Sequence, residues 1–169
     1  MHPETPLEGQ SLTDLFRGRE AAIEGFYQQI KGIADDYGLP YSKRSMTYNS
    51  RLAQELAAWA DTQPDGEKLH HALYQGYFVD NLNISDQTVL MSLVEQSGLD
   101  TSEAEQVLTN RLYSPEIDQH WQRAQSMGLS GVPTFVCDEL YVVGHQQYEV
   151  LMRFLNHMRQ LKREAGEAF

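Results

Sequence analysis

The sequence predicts a mostly helical α/β protein, a long helical part followed by a C-terminal ββα unit. Three observations predict it. Apolar residues recur at three- and four-residue spacings through most of the first 130 positions, punctuated by helix starts and stops. At Gly131 the period changes, and Gly131-Val132-Pro133-Thr134-Phe135-Val136-Cys137-Asp138 is rich in β-formers. A last apolar stripe, Val150, Leu151, Phe154, Leu155, Met158 and Leu161, then restores the helical period. At 169 residues the chain has the size of one domain, able to bury roughly 70% of its unfolded surface. The expected limits within a single domain 1–169 are 7–130 for the helical part, 131–162 for ββα and 163–169 for a polar tail.

Each element has its own signal. Leu15, Ile23, Phe26, Tyr27, Ile30, Ile33 and Tyr37 predict one long amphipathic helix stopped at Gly38. Leu52, Leu56 and Trp59 mark a second, capped near Asn49 or Ser50 and broken by Gln63-Pro64-Asp65-Gly66. The third runs from about Glu67 to Asp80 with Leu69, Leu73, Tyr77 and Phe78 inward. Ser85 or Asp86 caps a fourth through Val89, Leu90, Leu93 and Val94, ended by Gly98. Asp100 and Glu103 have capping-box spacing and open a fifth through Val107, Leu108 and Leu112. Ser114-Pro115 is the clearest start: serine at the cap, and a proline whose missing N–H would have had no partner there. That sixth helix, through Ile117, Trp121 and Ala124, should stop at Gly128.

The two short strands, to Cys137 and from Leu140 to Val143, predict a hairpin turned at Asp138-Glu139. Phe135, Val136 and Cys137 are apolar on both faces, the pattern of a strand covered on both sides. No other convincing strand is present, and a lone hairpin is marginal in water. Either helices of this chain cover its edge or another chain supplies strands. The final helix runs from about Gln146 to Lys162.

Charge excludes a class of partner. The chain carries 13 basic against 24 acidic residues, a formal charge of −11 that would repel a phosphate backbone. Nucleic acid is therefore not expected as a partner. No apolar run approaches the ~20 residues that span a bilayer, and Met1 to Gln10 has neither the basic start nor the apolar stretch of a secretory signal. A cytoplasmic, membrane-free protein is expected. The single cysteine, Cys137, excludes an internal disulfide, a cysteine-built zinc site and a two-cysteine redox motif within these residues. His70 and His71 point about 100° apart on a helix, poor geometry for a shared metal. His145 reads as a loop or cap residue, so no metal and no cofactor are expected. Phe26, Tyr27, Trp59, Tyr77, Phe78, Trp121 and Phe154 are read as core.

Four stretches carry a family likeness: His2-Pro3-Glu4-Thr5-Pro6-Leu7-Glu8-Gly9, Tyr48-Asn49-Ser50-Arg51-Leu52, Leu73-Tyr74-Gln75-Gly76-Tyr77-Phe78 and Gly128-Leu129-Ser130-Gly131-Val132-Pro133-Thr134-Phe135. In this order they resemble the DsbA-like thioredoxin-fold family, and within it the FrnE-type thiol-disulfide oxidoreductases. The resemblance implies a partial thioredoxin-like fold in which 7–130 is a helical insertion and 131–162 the ββα half, with Pro133 cis. It also implies that Val132, before that proline, offers backbone groups to a bound peptide or thiol substrate. What departs from the family is the opening strand and its Cys-x-x-Cys.

The expectations follow from that departure. By resemblance the chain is an oxidoreductase, but dithiol exchange needs an activated thiolate and a resolving thiol beside it, so no catalytic residue is assigned. Cys137 reads as an inert small hydrophobe in a buried strand, or, if exposed, as a site for an intermolecular or glutathione disulfide. Val132 and Pro133 are the expected substrate-binding residues. The alternatives are a non-catalytic peptide-binding module, a homodimer paired through the exposed strand edge, or a fragment of a longer active oxidoreductase.

Overall fold

The computed structural model describes residues 4–166, and the chain divides into two compact units, Met1–Gln119 and His120–Phe169. His2 and Pro3 of the opening motif lie outside the described residues. The first unit contains β1 (Gln10–Ser11), α1 (Leu12–Leu15), α2 (Glu20–Asp36), β2 (Met46–Thr47), α3 (Arg51–Ala60), α4 (Glu67–Phe78), α5 (Gln87–Gln96) and α6 (Thr101–Asn110). Helix α7 (Ser114–Ser126) crosses the boundary, and β3 (Thr134–Cys137), β4 (Leu140–Val143) and α8 (Tyr148–Ala165) complete the second.

The expected single helix over 15–37 is two helices. Gly18 lies between them at φ +81°, a left-handed conformation open to a residue without Cβ, and its N–H is taken by Glu20 Oε1 at 2.9 Å. Turn chemistry has overridden the apolar period. The stripe on α2 is also less covered than expected. Among its described residues only Ala34 is buried, while Phe26 is 52% and Ile30 45% exposed; α2 packs on the short α1 and the segment around Tyr41, outside the core of α3 to α6. A second correction is a two-residue antiparallel ladder, Gln10 with Thr47 and Ser11 with Met46, too short to show a strand period.

The core lies among α3 to α6. Helix α3 packs on α4 and α6, and α5 on α4 and α6, burying Leu56, Trp59, Leu69, Leu90, Val94 and Ala104 almost completely. Helices of 10–12 residues are marginal alone, so this packing is what holds them. Asp86 accepts the Thr88 N–H at 2.7 Å and Asp100 the Glu103 N–H at 3.0 Å, capping α5 and α6. At α3 the capping atom is Asn49 Oδ1, which takes the Arg51 N–H at 2.9 Å, while Asn49 Nδ2 donates to the Thr5 carbonyl at 2.8 Å. Gly66 is required by close approach: a Cβ there would stand 1.7 Å from the Ala60 carbonyl oxygen. Leu112 falls beyond the end of α6 and is exposed, not inward. Of the aromatic set read as core, Trp59 alone is fully buried, at 1% exposure.

In the second unit β3 and β4 pair antiparallel, Thr134 with Val143 through Cys137 with Leu140. The strand expected to be covered on both sides is not. Phe135 and Val136 point to opposite faces and keep 38% and 39% of their surface. Among the described residues of this unit Met158 of α8 is the one fully buried apolar side chain. Helix α8 continues past Lys162 to Ala165, where the sequence predicted a fraying tail, with two cations, Lys162 and Arg163, in its last turn. Residues 167–169 of that tail lie outside the described residues.

Candidate functional site

The entrance to β3 is built from backbone contacts. The Val132–Pro133 peptide bond is cis. The Pro133 carbonyl accepts the Gly144 N–H at 2.7 Å, which ties the start of β3 to the end of β4, and Thr134 Oγ1 donates to the Gly131 carbonyl at 2.6 Å within the entry turn. A Cβ on Gly131 would sit 3.1 Å from Val143 Cγ1, so this residue lies close against β4. With its neighbours held this way, the Val132 side chain projects outward, 91% exposed, and Pro133 beside it is exposed as well. At the far end Asp138 takes the hairpin turn at φ +52°, and its carboxylate meets Lys162 Nζ at 3.2 Å, fixing the turn to the end of α8.

Cys137 ends β3 opposite Leu140 and is half-buried, so the expectation of a thiol sealed inside a covered strand is corrected. A two-stranded hairpin does not seal it. The sequence has no second thiol for it to pair with. Among the described residues no group of three or more His, Cys, Asp or Glu converges as a metal site. His70 Nε2 meets Asp61 Oδ1 at 2.8 Å, bridging the end of α3 to α4, while His71 faces outward.

Sequence reasoning missed a charged cluster. Glu55 is fully buried on α3 and receives Arg51 Nε and Arg111 Nη2 on one oxygen, each at 2.6 Å, and Arg111 Nε on the other at 2.8 Å. Arg51 also pairs with Asp118 at 2.7 Å and donates from Nη2 to the Ser114 hydroxyl and carbonyl, both at 2.8 Å. Burial is the largest influence on Glu55 and raises its pKa, but the hydrogen bonds from Arg111 and Arg51 outweigh it and hold the carboxyl below its usual range. The Ser114 hydroxyl, expected to cap α7, is thus engaged by a guanidinium. The i,i+4 spacing of Arg51 and Glu55 was the available signal, but such pairs are usually solvated.

Also missed was a hollow of about 350 Å³ against α3 and α4, walled by Tyr48, Ala53, Leu73, Tyr77 and Ile84, with Thr5 from the opening segment. That segment is held from Leu7, whose carbonyl accepts Asn83 Nδ2 at 3.2 Å and the Ser85 hydroxyl.

The DSBA-like thioredoxin domain model matches residues 3–156, which is most of the chain. The chain belongs to that family. Its fold is DsbA-like, mostly helical α/β, as the resemblance implied. This DsbA-like chain is similar to the crystal structure of a probable DsbA oxidoreductase from Streptomyces coelicolor, 27% identical with a TM-score of 0.80, over 94% of this chain and 72% of that one. A putative protein disulfide isomerase from Nitrosomonas europaea shares the fold at 16% identity and a TM-score of 0.63, over 86% of this chain and 76% of that one. The ClpXP adapter protein SpxH of Halalkalibacterium halodurans is 27% identical over 125 residues, 70% of this chain. The DsbA-like chain spans 40% of the length of that curated relative. No helix among its described residues is long and apolar enough to cross a membrane.

Proposed function

We propose that this DsbA-like chain, of the FrnE-type branch, holds an extended peptide or thiol substrate at Val132 and Pro133 and does not itself exchange disulfides. The count of thiols carries the second half of this reading. In dithiol exchange one thiolate attacks a substrate disulfide, and a second thiol of the same protein then displaces the substrate thiolate as the leaving group. With Cys137 alone, the chain can take only the first step, from a half-buried strand end. The exposure of Val132 beside a paired strand supports the first half, since an extended segment can add along such an edge. A curated relative named an adapter is compatible with binding in place of turnover in this family. A net charge of −11 argues against nucleic acid and anionic membrane surfaces as partners, and a chain with one unpaired thiol suits the reducing cytoplasm.

Insulin reduction by the purified chain tests the reading. The expected result is no turnover beyond the reductant's own. Turnover that persists in Cys137→Ala overturns it. Where the same residues serve a longer, dithiol-bearing oxidoreductase, Val132→Asp in that protein is expected to raise KM for insulin more than it lowers kcat.

A second reading rests on a different observation. Phe135, Val136, Leu140, Tyr141 and Val143 all keep more than a third of their surface on a two-stranded sheet, which favours a homodimer paired through the strand edge. Light scattering is expected to give twice the chain mass with and without reductant. A monomer at every concentration removes this reading.

A further inference from the structure

We propose that the furrow between α5 and α6 docks a basic amphipathic helix of a partner protein. This inference is independent of the Val132 reading. Helix α5 packs on α4 and α6, and its outward side carries two open hollows, of about 630 and 340 Å³, that share Thr88 and Met91 and so run on from one another. The first reaches Leu99 and the α5–α6 turn, and the second reaches Leu108 on α6. Leu108 is buried, while Met91 and Leu99 are half-buried, packed on the core with the rest of their surface open. The furrow thus has an apolar floor between polar walls.

Charge decides the class of partner. From 69 to 110 the chain has six acidic residues and no lysine or arginine. The flanking cations are engaged elsewhere: Lys68 pairs with Asp65 at 3.2 Å and Arg111 with Glu55. Asp86 and Asp100 cap the two helices. Glu95 and Glu105, each exposed in one of the two hollows, have no ion-pair partner among the described residues. Glu95 is also misplaced for its own helix. It lies in the last turn of α5, where the helix dipole favours a cation and the chain supplies none. An incoming lysine or arginine meets this carboxylate and the carbonyl end of the helix together. A second copy, at a charge of −11, and an anionic membrane are repelled by the same surface.

The furrow decides the form of the partner. Its lining is helical and offers no strand edge, so an extended peptide finds no ladder to join. A third helix, by contrast, seats its side-chain ridges in the groove between two packed helices. Apolar residues at i, i+3, i+4 and i+7 of such a helix face Met91, Leu99 and Leu108, and cations flanking that stripe reach Glu95 and Glu105. The ten residues of α5 span about 15 Å, enough for about three turns of partner. Met91 supplies a contact that adapts its shape.

The test uses the whole chain and fluorescence anisotropy. The probe is a labelled helical peptide of about 14 residues with leucine at i, i+3, i+4 and i+7 and lysine on both flanks of that stripe. It is expected to bind at least about tenfold more tightly than the same peptide with glutamate for lysine, or than a scramble of its own residues, and to weaken several-fold as salt is raised. Glu95→Gln with Glu105→Gln should weaken it several-fold without lowering the melting temperature. Asp36→Asn with Glu139→Gln, which removes the same charge elsewhere, should leave it unchanged. Ser92→Arg, at an exposed wall position, should block the peptide. Equal binding of probe and scramble, or of the lysine and glutamate peptides, overturns the proposal in the unaltered chain, a comparison that needs no variant to fold. Equal losses from the two double variants overturn it too, as does no binding at submillimolar concentration. An unaltered chain that is dimeric by light scattering and monomeric as Ser92→Arg would assign the face to a second copy, and the proposal falls.

Discussion

The helical unit and the ββα unit are built from similar apolar side chains but bury them to different depths. Leu56, Leu69, Leu90 and Val94 of the first are wholly inaccessible, whereas Phe135, Val136 and Leu140 of the second keep 38–42% of their surface. The difference lies in layers. Helices α3 to α6 each pack against at least two others, so a stripe of three or four apolar residues finds cover on both flanks. A two-stranded sheet has two faces and two edges, and one amphipathic helix cannot cover them all. Apolar content thus does not by itself determine burial; the number of neighbouring elements does.

Substitutions matched across the two units would break this comparison. Leu56→Ala removes a fully buried side chain of α3, and denaturant unfolding should register a loss of about 2–5 kcal/mol. Glu55→Gln leaves two guanidinium groups imperfectly paired, for a loss of about 3 kcal/mol, the lower part of the range for a buried pair because Arg111 is half exposed. The same carboxyl predicts a pH dependence. Its pKa is lower folded than unfolded, so the stabilisation is complete above the unfolded value near 4.3 and is lost as pH falls through the folded one. Urea midpoints of the unaltered chain should fall on acidification below about pH 4.3, and those of Glu55→Gln should fall less. Ser114→Ala removes one acceptor of Arg51 and should cost about 1 kcal/mol, visible in a thermal melt. Val136→Ala in the hairpin should cost about 0.5–1 kcal/mol, and a loss as large as that of Leu56→Ala would mean that the strand is covered in solution, by a second copy or otherwise.

Much of the architecture was legible because its signals are local. The caps Asp86 and Asp100, the stops at Gly38, Gly98 and Gly128, and the change of period at Gly131 each depend on a few adjacent residues. The break at Gly18 was not read, because a glycine inside an apolar helical period is usually tolerated. The ladder of Gln10 and Ser11 with Met46 and Thr47 was invisible for a different reason: two residues carry no period. Of the candidate site, Val132 and Pro133 were legible from motif order and Cys137 as the single cysteine. The Glu55 cluster unites residues up to 63 positions apart, and no spacing rule reaches that far.

Residue order alone therefore settled the helices from α3 onward and the C-terminal hairpin, the single thiol and the acidic balance, since propensity, capping and composition act within a turn or two of chain. Which apolar stripes were covered and which carboxylate was buried between two arginines depended on the packing of distant elements. Burial and desolvation are set by whatever surrounds a group in space, and that becomes defined only when the helices meet.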